Sequence, residues 1–580
     1  VKCNGLKDDT VSIVIGGEAG QGISRSGELL GKALMRCGFH CYGAMDYPSL
    51  IRGGHNFYQL RASARPVYSQ TPNVDVLVAL NKESVTLHLG EMNVGGGVIH
   101  DERDKLEEGL GKDKDIKFYP VPLTDIVKEL GGPDIMRNTV ALGAAAALIS
   151  LDAGVLKQIV AETFEGREKI IKMNEDAVQK GHEYVAEHGY RFGCCLEPGE
   201  RPSRLWLTGN EAVAFGAMAA GCRFYSAYPM TPASGLLHYF ASHDEAGGMA
   251  VIQTESEIAA AMMAIGASYS GVRSMTGTSG GGFSLMTESL SLAAMSETPL
   301  VVMLGQRPGP STGLATYSAQ GDLLFAVYGA HGEFQRIVVA PGDAEECFHL
   351  AAEAFNLAER FQIPVILLTD KTLVESNQTM DAFDLSKVRI DRGKLVETWT
   401  GPGEYMRYRD DEDGVSPRAF PGTEGILVPA NSNEHLENGL STSKSEAVTR
   451  MVDKRFRKAG HIREAVEGLQ PIRVYGDKRP KVTLVGWGGT KGPALEALRL
   501  LKAEGVKARF VQVVFMEPFP DGLEKYLKDT CVLVEDNRSA QLGTLIRLNT
   551  GYSFKHVGLR YDGRPFNPGE IRDRVMEAIA

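Results

Sequence analysis

The chain has 580 residues, 43% hydrophobic and 23% charged, with a formal net charge of −11. That length exceeds one core and predicts about three or four domains, and the balance excludes a disordered or collagen-like chain. An acidic protein without a basic face has nothing to displace counterions from phosphates, which excludes nucleic acid as an expected partner.

No segment has the roughly 18 uninterrupted apolar residues of a membrane span. The start, VKCNGLKDDTVSIVIGG, lacks the charged, apolar and small-residue regions of a signal peptide, so a cytoplasmic protein is expected. The eight cysteines are too sparse for a disulfide framework. Cys37 and Cys41 are four apart and Cys194 and Cys195 adjacent, but neither pair has companions and no CxxC run occurs. All eight read as small buried residues. No metal site is expected here, and any iron-sulfur cluster belongs to another polypeptide.

In chain order, the apolar run Val11–Ile15 reads as a strand, Gly16 to Gly22 as a loop, and Leu29, Leu30, Ala33 and Leu34 as a helix face. Such a loop can bring backbone N–H groups to an anion. It does not fit GxGxxG, and Ile23 stands where a P-loop needs lysine, which disfavours ATP hydrolysis and a dinucleotide fingerprint. A tight turn and a ligand contact both stay open. Strands at Val74–Leu80 and Gly97–His100 and helices near Leu123–Leu130 and Asn138–Ser150 complete an α/β unit. A polar helical stretch over Asp152–His188 ends it, and Gly193–Ser203, with Pro198, Gly199 and Pro202, reads as a linker.

The next unit opens with Thr208-Gly209-Asn210-Glu211 and a small-residue helix through Ala220. A strand then runs into Tyr228-Pro229-Met230-Thr231-Pro232, where two prolines fix the backbone. Glu255 and Glu257 begin a helix over Ile258–Ser268 so apolar that it is expected to be buried on all sides. Desolvation and the helix dipole act in opposite senses on such carboxylates, and a perturbed one suits acid-base catalysis. A strand over Arg273–Thr276 ends in Gly277-Thr278-Ser279-Gly280-Gly281-Gly282, with a helix from near Phe283. The strand Pro299–Leu304 empties into a Gly/Pro-rich loop carrying Arg307, Thr316 and Gln320-Gly321-Asp322. Arg307 thus falls at a strand end, where open α/β sheets bind ligands and a guanidinium can grip a carboxylate.

Beyond Thr369-Asp370-Lys371 the chain turns polar and irregular, Pro/Gly-rich over Gly401–Pro421 and Asn431–Ser445. A last α/β unit follows: strand Val482–Trp487, turn Gly488-Gly489-Thr490, helix Pro493–Leu501, and strands Ala508–Val514 and Cys531–Glu535.

Together the motifs resemble the 2-oxoacid:ferredoxin oxidoreductases, in the form where a gamma domain precedes the alpha domain. GGEAGQG with Ile51-Arg52-Gly53-Gly54 is similar to the gamma domain; GNEA, YPMTP, ESEIAA, TGTSGGG, QRPGPSTG and QGDL are similar to the alpha domain, in its order. The resemblance implies an α/β protein of three α/β domains: a gamma domain over 1–195, a thiamine-diphosphate pyrimidine-binding-like domain over 204–385 and a transketolase C-terminal-like domain over 476–580, with 386–475 as connection. In such enzymes a glutamate bonds the cofactor's pyrimidine ring and promotes the iminopyrimidine form; by motif position it is Glu257, not Glu255. The resemblance makes Thr231 and Arg307 catalytic and substrate-binding residues with Glu257, and Thr316 a second substrate contact. It places Tyr228, Pro229, Thr278, Ser279 and Gly280 with Glu257 at the cofactor, and Gly17, Gly20, Gln21, Gly22 and Arg52 at coenzyme A or its loop.

The implied activity is reversible, coenzyme A-dependent oxidative decarboxylation of a 2-oxoacid with electrons passing to ferredoxin. 2-Oxoglutarate to succinyl-CoA leads by analogy of domain order; broad, branched-chain and pyruvate specificity stay open. A second basic group would have to grip a distal carboxylate, from the partner, His55 or Arg52. No Asn-terminated GDG motif for a magnesium diphosphate is present. A beta subunit is therefore expected to bring Mg2+, the diphosphate site and a four-iron cluster, as a heterotetramer of two alpha and two beta chains. A non-catalytic scaffold is the rival from another class.

Overall fold

The strand Val74–Ala79 is buried at all six positions, as a parallel strand covered on both faces requires. In this computed structural model, residues 2–3, 10–49, 53–195, 203–401, 403–528 and 530–580 are described, without the side chains of residues 2, 3, 194 and 195. They form two compact units, one of Val1–Leu207 with Ser376–Ala382, the other of Thr208–Glu375 with Phe383–Ala580.

The first unit is built on an eight-stranded sheet. Thr10–Glu18, Val74–Ala79, Met92–Asp101 and Lys117–Val121 run parallel. His55–Ser63 pairs antiparallel with Thr10–Glu18, and His40–Asp46 antiparallel with His55–Ser63. Asn377–Asp381 and then Arg204–Thr208 extend this side. Helices Arg137–Leu148 and Glu168–Glu187 cross at Gly143 and Gly181, where a Cβ on either residue would strike the other helix's backbone.

In the second unit a seven-stranded sheet has the order Ala250–Gln253, Phe224–Ala227, Ser274–Thr278, Leu300–Gln306, Pro364–Asp370, Ile337–Val339, Phe515–Glu517, parallel except for the last. A five-stranded sheet orders Ile472–Gly476, Ala508–Val513, Val482–Gly486, Thr530–Glu535 and His556–Leu559. The sheets share one core, in which Val302, Leu304 and Ile366 meet Val485, Trp487 and Leu533.

Several expectations are corrected. The strand begun at Val11 continues through Gly16 and Gly17 to Glu18, because His55–Phe57 pairs with all three; the loop is shorter than it reads. The stretch Asp152–His188 is two helices, Ala153–Thr163 and Glu168–Glu187. The helix expected to be buried on all sides, Glu257–Tyr269, exposes Ile258 by 51%, Met262 by 40% and Met263 by 39%, so one apolar face is uncovered in this chain. The connection is not irregular throughout: Ser445–Glu467 is a 23-residue helix, and strand Ile472–Gly476 belongs to the last sheet. Most of the expected linker, residues 196–202, lies outside the described residues. Among the described residues no helix is long and apolar enough to cross a membrane, and no group of three or more His, Cys, Asp or Glu side chains is placed to hold a metal ion.

Candidate active site

Four neighbouring parallel strands of the second unit deliver the predicted residues to one edge of the sheet, the carboxyl ends where crevices open. Phe224–Ala227 leads into Tyr228–Pro232, Ala250–Gln253 into Thr254–Glu257, Ser274–Thr278 into Ser279–Gly282, and Leu300–Gln306 into Arg307. Capping fixes where the elements begin. Thr208 and Glu211 form a capping box at helix Gly209–Ala219, whose Asn210 donates from Nδ2 to the Pro232 carbonyl at 3.0 Å and pins the Tyr228–Pro232 loop. Ser256 caps helix Glu257–Tyr269, accepting from the Ala259 amide at 3.2 Å.

Glu257 is the first residue of that helix and 4% exposed, whereas Glu255 is exposed. Its Oε1 is buried without a hydrogen-bond partner. An orphaned buried acceptor costs roughly 1–3 kcal/mol, a penalty that a donor arriving at the site would remove. The wall beside it is glycine by necessity: a Cβ on Gly282 would stand 2.6 Å from Glu257 Cγ and would strike the Thr278 hydroxyl. Thr278 and Ser279 are fully buried, and Ser279 Oγ is a second unpartnered group. Thr278 Oγ1 makes only long contacts among the described residues, to the Ser279 carbonyl at 3.4 Å and the Met230 sulfur at 4.0 Å.

Arg307 Nη1 donates to the Thr231 carbonyl at 2.9 Å, so the two predicted carboxylate-binding residues are in direct contact. Among the described residues no protein acceptor takes its other donors, and burial lowers its pKa from the ordinary value. Thr231 is half-buried and its bond to Pro232 is cis. Thr316 is buried on the loop after Arg307. Tyr228 is 40% exposed and Pro229 half-buried.

One neighbour had no role in the sequence reading. The Asp322 carboxylate lies against Gly280, where a Cβ would collide with it, and its backbone amide donates to Gln306 Oε1 at 2.9 Å. Burial pushes its pKa up to about 6. QGDL marked the segment, but only the sheet order brings it to Gly280.

The glycine loop belongs to the first unit. Gly17 is in the strand; Gly20 and Gly22 have φ of 91° and 74°, and Gly22 caps helix Ile23–Arg36. Gln21 closes the loop on itself, its Oε1 accepting from the Glu18 amide at 2.8 Å and its carbonyl from Asn138 Nδ2 at 3.0 Å. Arg52 lies outside the described residues. Burial lowers the pKa of His55, so it offers no cation to a distal carboxylate at neutral pH.

Comparison with known proteins supplies the deciding observation. Residues 215–454 match the family described as pyruvate flavodoxin/ferredoxin oxidoreductase, thiamine diphosphate-binding, and residues 12–184 match pyruvate ferredoxin/flavodoxin oxidoreductase. The chain is 34% identical to 2-oxoacid:ferredoxin oxidoreductase 2, subunit alpha, of Aeropyrum pernix, over 98% of each chain. It belongs to the 2-oxoacid:ferredoxin oxidoreductase alpha subunits. A Sulfolobus relative, 2-oxoacid:ferredoxin oxidoreductase subunit alpha, is 33% identical over 98% of this chain and 97% of its own. The solved 2-oxoglutarate:ferredoxin oxidoreductase of Magnetococcus marinus, with 2-oxoglutarate, coenzyme A and succinyl-CoA bound, superposes with a TM-score of 0.90 at 33% identity, covering 99% of this chain and 100% of that one.

The chain is thus a subunit of an oxidoreductase, and the thiamine-family match spans Thr231, Glu257, Thr278–Gly282 and Arg307. The residues suit an aminopyrimidine: the orphaned Glu257 carboxylate oxygen offers an acceptor at a buried wall, glycines at 280 and 282 let Asp322, Thr278 and Glu257 close up against the backbone, and the space beside Gly281 is open.

Proposed function

We propose that the chain is the alpha subunit of a coenzyme A-dependent 2-oxoglutarate:ferredoxin oxidoreductase. The complex interconverts 2-oxoglutarate and coenzyme A with succinyl-CoA and carbon dioxide, passing two electrons to ferredoxin, and can also run toward carbon dioxide fixation. The buried, unpartnered Glu257 carboxylate among the family's motifs carries the reading; full-length similarity to a structure holding 2-oxoglutarate and succinyl-CoA supports the substrate.

Bound thiamine diphosphate supplies the electron sink for decarboxylation. Glu257 hydrogen-bonds the pyrimidine ring and holds or releases a proton there. Tyr228, Pro229, Thr278, Ser279 and Gly280 form the wall that receives the ring. Arg307, steadied on the Thr231 carbonyl, grips the 1-carboxylate of the substrate, with Thr231 and Thr316 as hydroxyl contacts. Gly17, Gly20, Gln21, Gly22 and Arg52 contact coenzyme A or shape its loop. The domains are gamma (1–195), pyrimidine-binding (204–385), connection (386–475) and transketolase C-terminal-like (476–580). A beta subunit brings Mg2+, the diphosphate site and a four-iron cluster, in a cytoplasmic heterotetramer of two alpha and two beta chains.

The test is Glu257→Gln in the complex reconstituted with its beta chain. Coenzyme A-dependent ferredoxin reduction should fall about a hundredfold or more, the lower range for a positioned acid or base; a variant near the wild-type rate overturns the role of Glu257. The names of the Aeropyrum and Sulfolobus relatives specify no single 2-oxoacid, which favours broad specificity as a second reading. Comparing kcat/KM for 2-oxoglutarate, pyruvate and a branched-chain 2-oxoacid separates the two. No turnover of any 2-oxoacid would leave the scaffold reading.

A further inference from the structure

The loop that carries Arg307 and Thr316 is seated on the five-stranded sheet of its own unit. In that sheet Val482–Gly486 is flanked by Ala508–Val513 on one side and Thr530–Glu535 on the other, both parallel to it. The chain visits one side and then the other, so the carboxyl ends of Val482–Gly486 and Thr530–Glu535 flank a switch point, the place where open α/β sheets take ligands. Here the occupant is Gln320 of the loop, 1% exposed. Its Nε2 donates to the Trp487 carbonyl at 3.0 Å, just beyond the first strand, and its Oε1 accepts from the Asp536 amide at 3.1 Å, just beyond the second. Its main-chain amide donates to the Asp536 carbonyl at 2.7 Å, and its carbonyl accepts from Asn537 Nδ2 at 3.1 Å. Gly488, with φ of 54°, leaves it room: a Cβ there would stand 2.7 Å from Gln320 Nε2.

The seat is itself fixed, and it grips the loop on both sides of Gln320. Glu535, fully buried, accepts from Asn537 Nδ2 at 3.0 Å, Trp487 Nε1 at 3.1 Å and the Leu542 amide at 2.8 Å, which orders Asn537 and the start of helix Gln541–Thr550. From that helix Gln541 spans Asp322: its Nε2 donates to the Gly321 carbonyl at 2.6 Å and its Oε1 accepts from the Leu324 amide at 3.0 Å. On the Thr316 side, the Gly563 carbonyl accepts from the Ser318 amide at 3.0 Å, and the Arg564 guanidinium lies over the Tyr317 ring at 4.1 Å. The base of the loop is tied elsewhere, Arg307 to the Thr231 carbonyl and the Asp322 amide to Gln306. The stretch between them, with Thr316, takes its place from the five-stranded sheet.

We infer that Gln541 and Arg564 are positioning residues for the 2-oxoacid: through the main chain of residues 317–324 they hold Thr316 where its substrate contact needs it. The inference rests on the proposed role of Thr316 as that contact. It gives the five-stranded sheet a share in substrate affinity, exerted through a loop that fills the sheet's own switch point. A hydroxyl displaced by a fraction of its bond length loses most of its hold on a bound group, so slackening the loop weakens binding even though the backbone carries the effect. Gln541 is half-buried and Arg564 exposed, and water replaces what truncating either removes, so the fold itself changes little.

The experiment uses the complex assembled with its partner chain and measures steady-state kinetics, varying in turn coenzyme A and the 2-oxoacid that the complex turns over fastest. Gln541→Ala should raise KM for the 2-oxoacid about tenfold, the scale of losing one or two hydrogen bonds, with kcat, KM for coenzyme A and the unfolding midpoint little changed. Arg564→Ala gives up an exposed cation–π contact and should raise the same KM about threefold. Thr316→Val removes the hydroxyl and should raise it as well. Combined with Gln541→Ala it should give a KM no higher than Thr316→Val alone, because a hydroxyl that is gone cannot be misplaced. If Thr316→Val raises KM and Gln541→Ala does not, or if the two effects add in full, the sheet does not set the loop; the inference fails and the substrate contact stands. An equal rise in KM for coenzyme A would mark a general loosening and overturn the inference too. If Thr316→Val leaves KM unchanged, the contact itself is wrong and the inference falls with it.

Discussion

Glu255 and Glu257 stand two residues apart at one helix start, and their chemistry differs because only Glu257 points into the protein. Its neighbour Gly282 has no side chain for a reason that can be tested. Gly282→Ala would set a methyl group against Glu257 and Thr278, both backed by packed structure. Thiamine diphosphate affinity of the reconstituted complex, measured by calorimetry, should fall by about tenfold or more, and thermal unfolding of the chain should shift downward by the roughly 1–3 kcal/mol that overpacking costs. An unchanged affinity would remove the cofactor wall from these residues. Motif order pointed to Glu257, Thr231, Thr278 and Arg307; Asp322 could not be placed, because its approach to Gly280 comes from sheet order and leaves no local trace in QGDL.

The helix Ser445–Glu467 shows why an element can be hidden from pattern reading. Its buried stripe is Met451, Lys454, Lys458, Ile462 and Val466, spaced as a helix face, but two members are lysines and so count as polar. Both ammonium groups end on Glu297, each at 2.5 Å, and all three side chains are buried. Arg407 adds a hydrogen bond to the Glu297 carbonyl at 2.7 Å. Glu297→Gln strands two buried ammoniums and should destabilise the chain by about 3–5 kcal/mol, the range for breaking a buried ion pair. Lys454→Met, leaving one lysine per carboxylate, should cost little or stabilise. Burial holds Lys454 at about 8 against an ordinary 10.5. Between these values the unfolded chain binds more protons than the folded one, so this lysine's contribution raises stability as pH rises through that window. Unfolding midpoints measured across it should lose that component of the slope in Lys454→Met; an identical slope would refute the assignment.

At the scale of the whole molecule, a later segment returns to complete an earlier sheet. Ser376–Ala382 is part of the first unit, with Asn377–Asp381 paired to His40–Asp46 and Asn377 Oδ1 accepting from the buried Tyr58 hydroxyl at 2.8 Å. The boundary near residue 200 therefore does not cut out a complete sheet. A fragment ending at residue 195 would expose the edge of His40–Asp46 and remove Asn377 from the Tyr58 hydroxyl. It should unfold at a lower temperature than the first unit does within the full chain and self-associate; equal unfolding temperatures would show that the returning strand is dispensable.

The sequence by itself determined the α/β class, most of the strands that build the parallel sheets and the family's motif order, because strand ends, glycine turns and proline-fixed loops are written in neighbouring residues. It could not show the antiparallel side of the first sheet or the lysine-lined helix, whose two buried lysines meet Glu297 across 157 and 161 residues of chain. Tertiary structure alone decided which carboxylates are stripped of water and which polar atoms are left without partners. Burial and pairing are properties of the assembled surroundings, and a residue's own stretch of sequence carries only part of them.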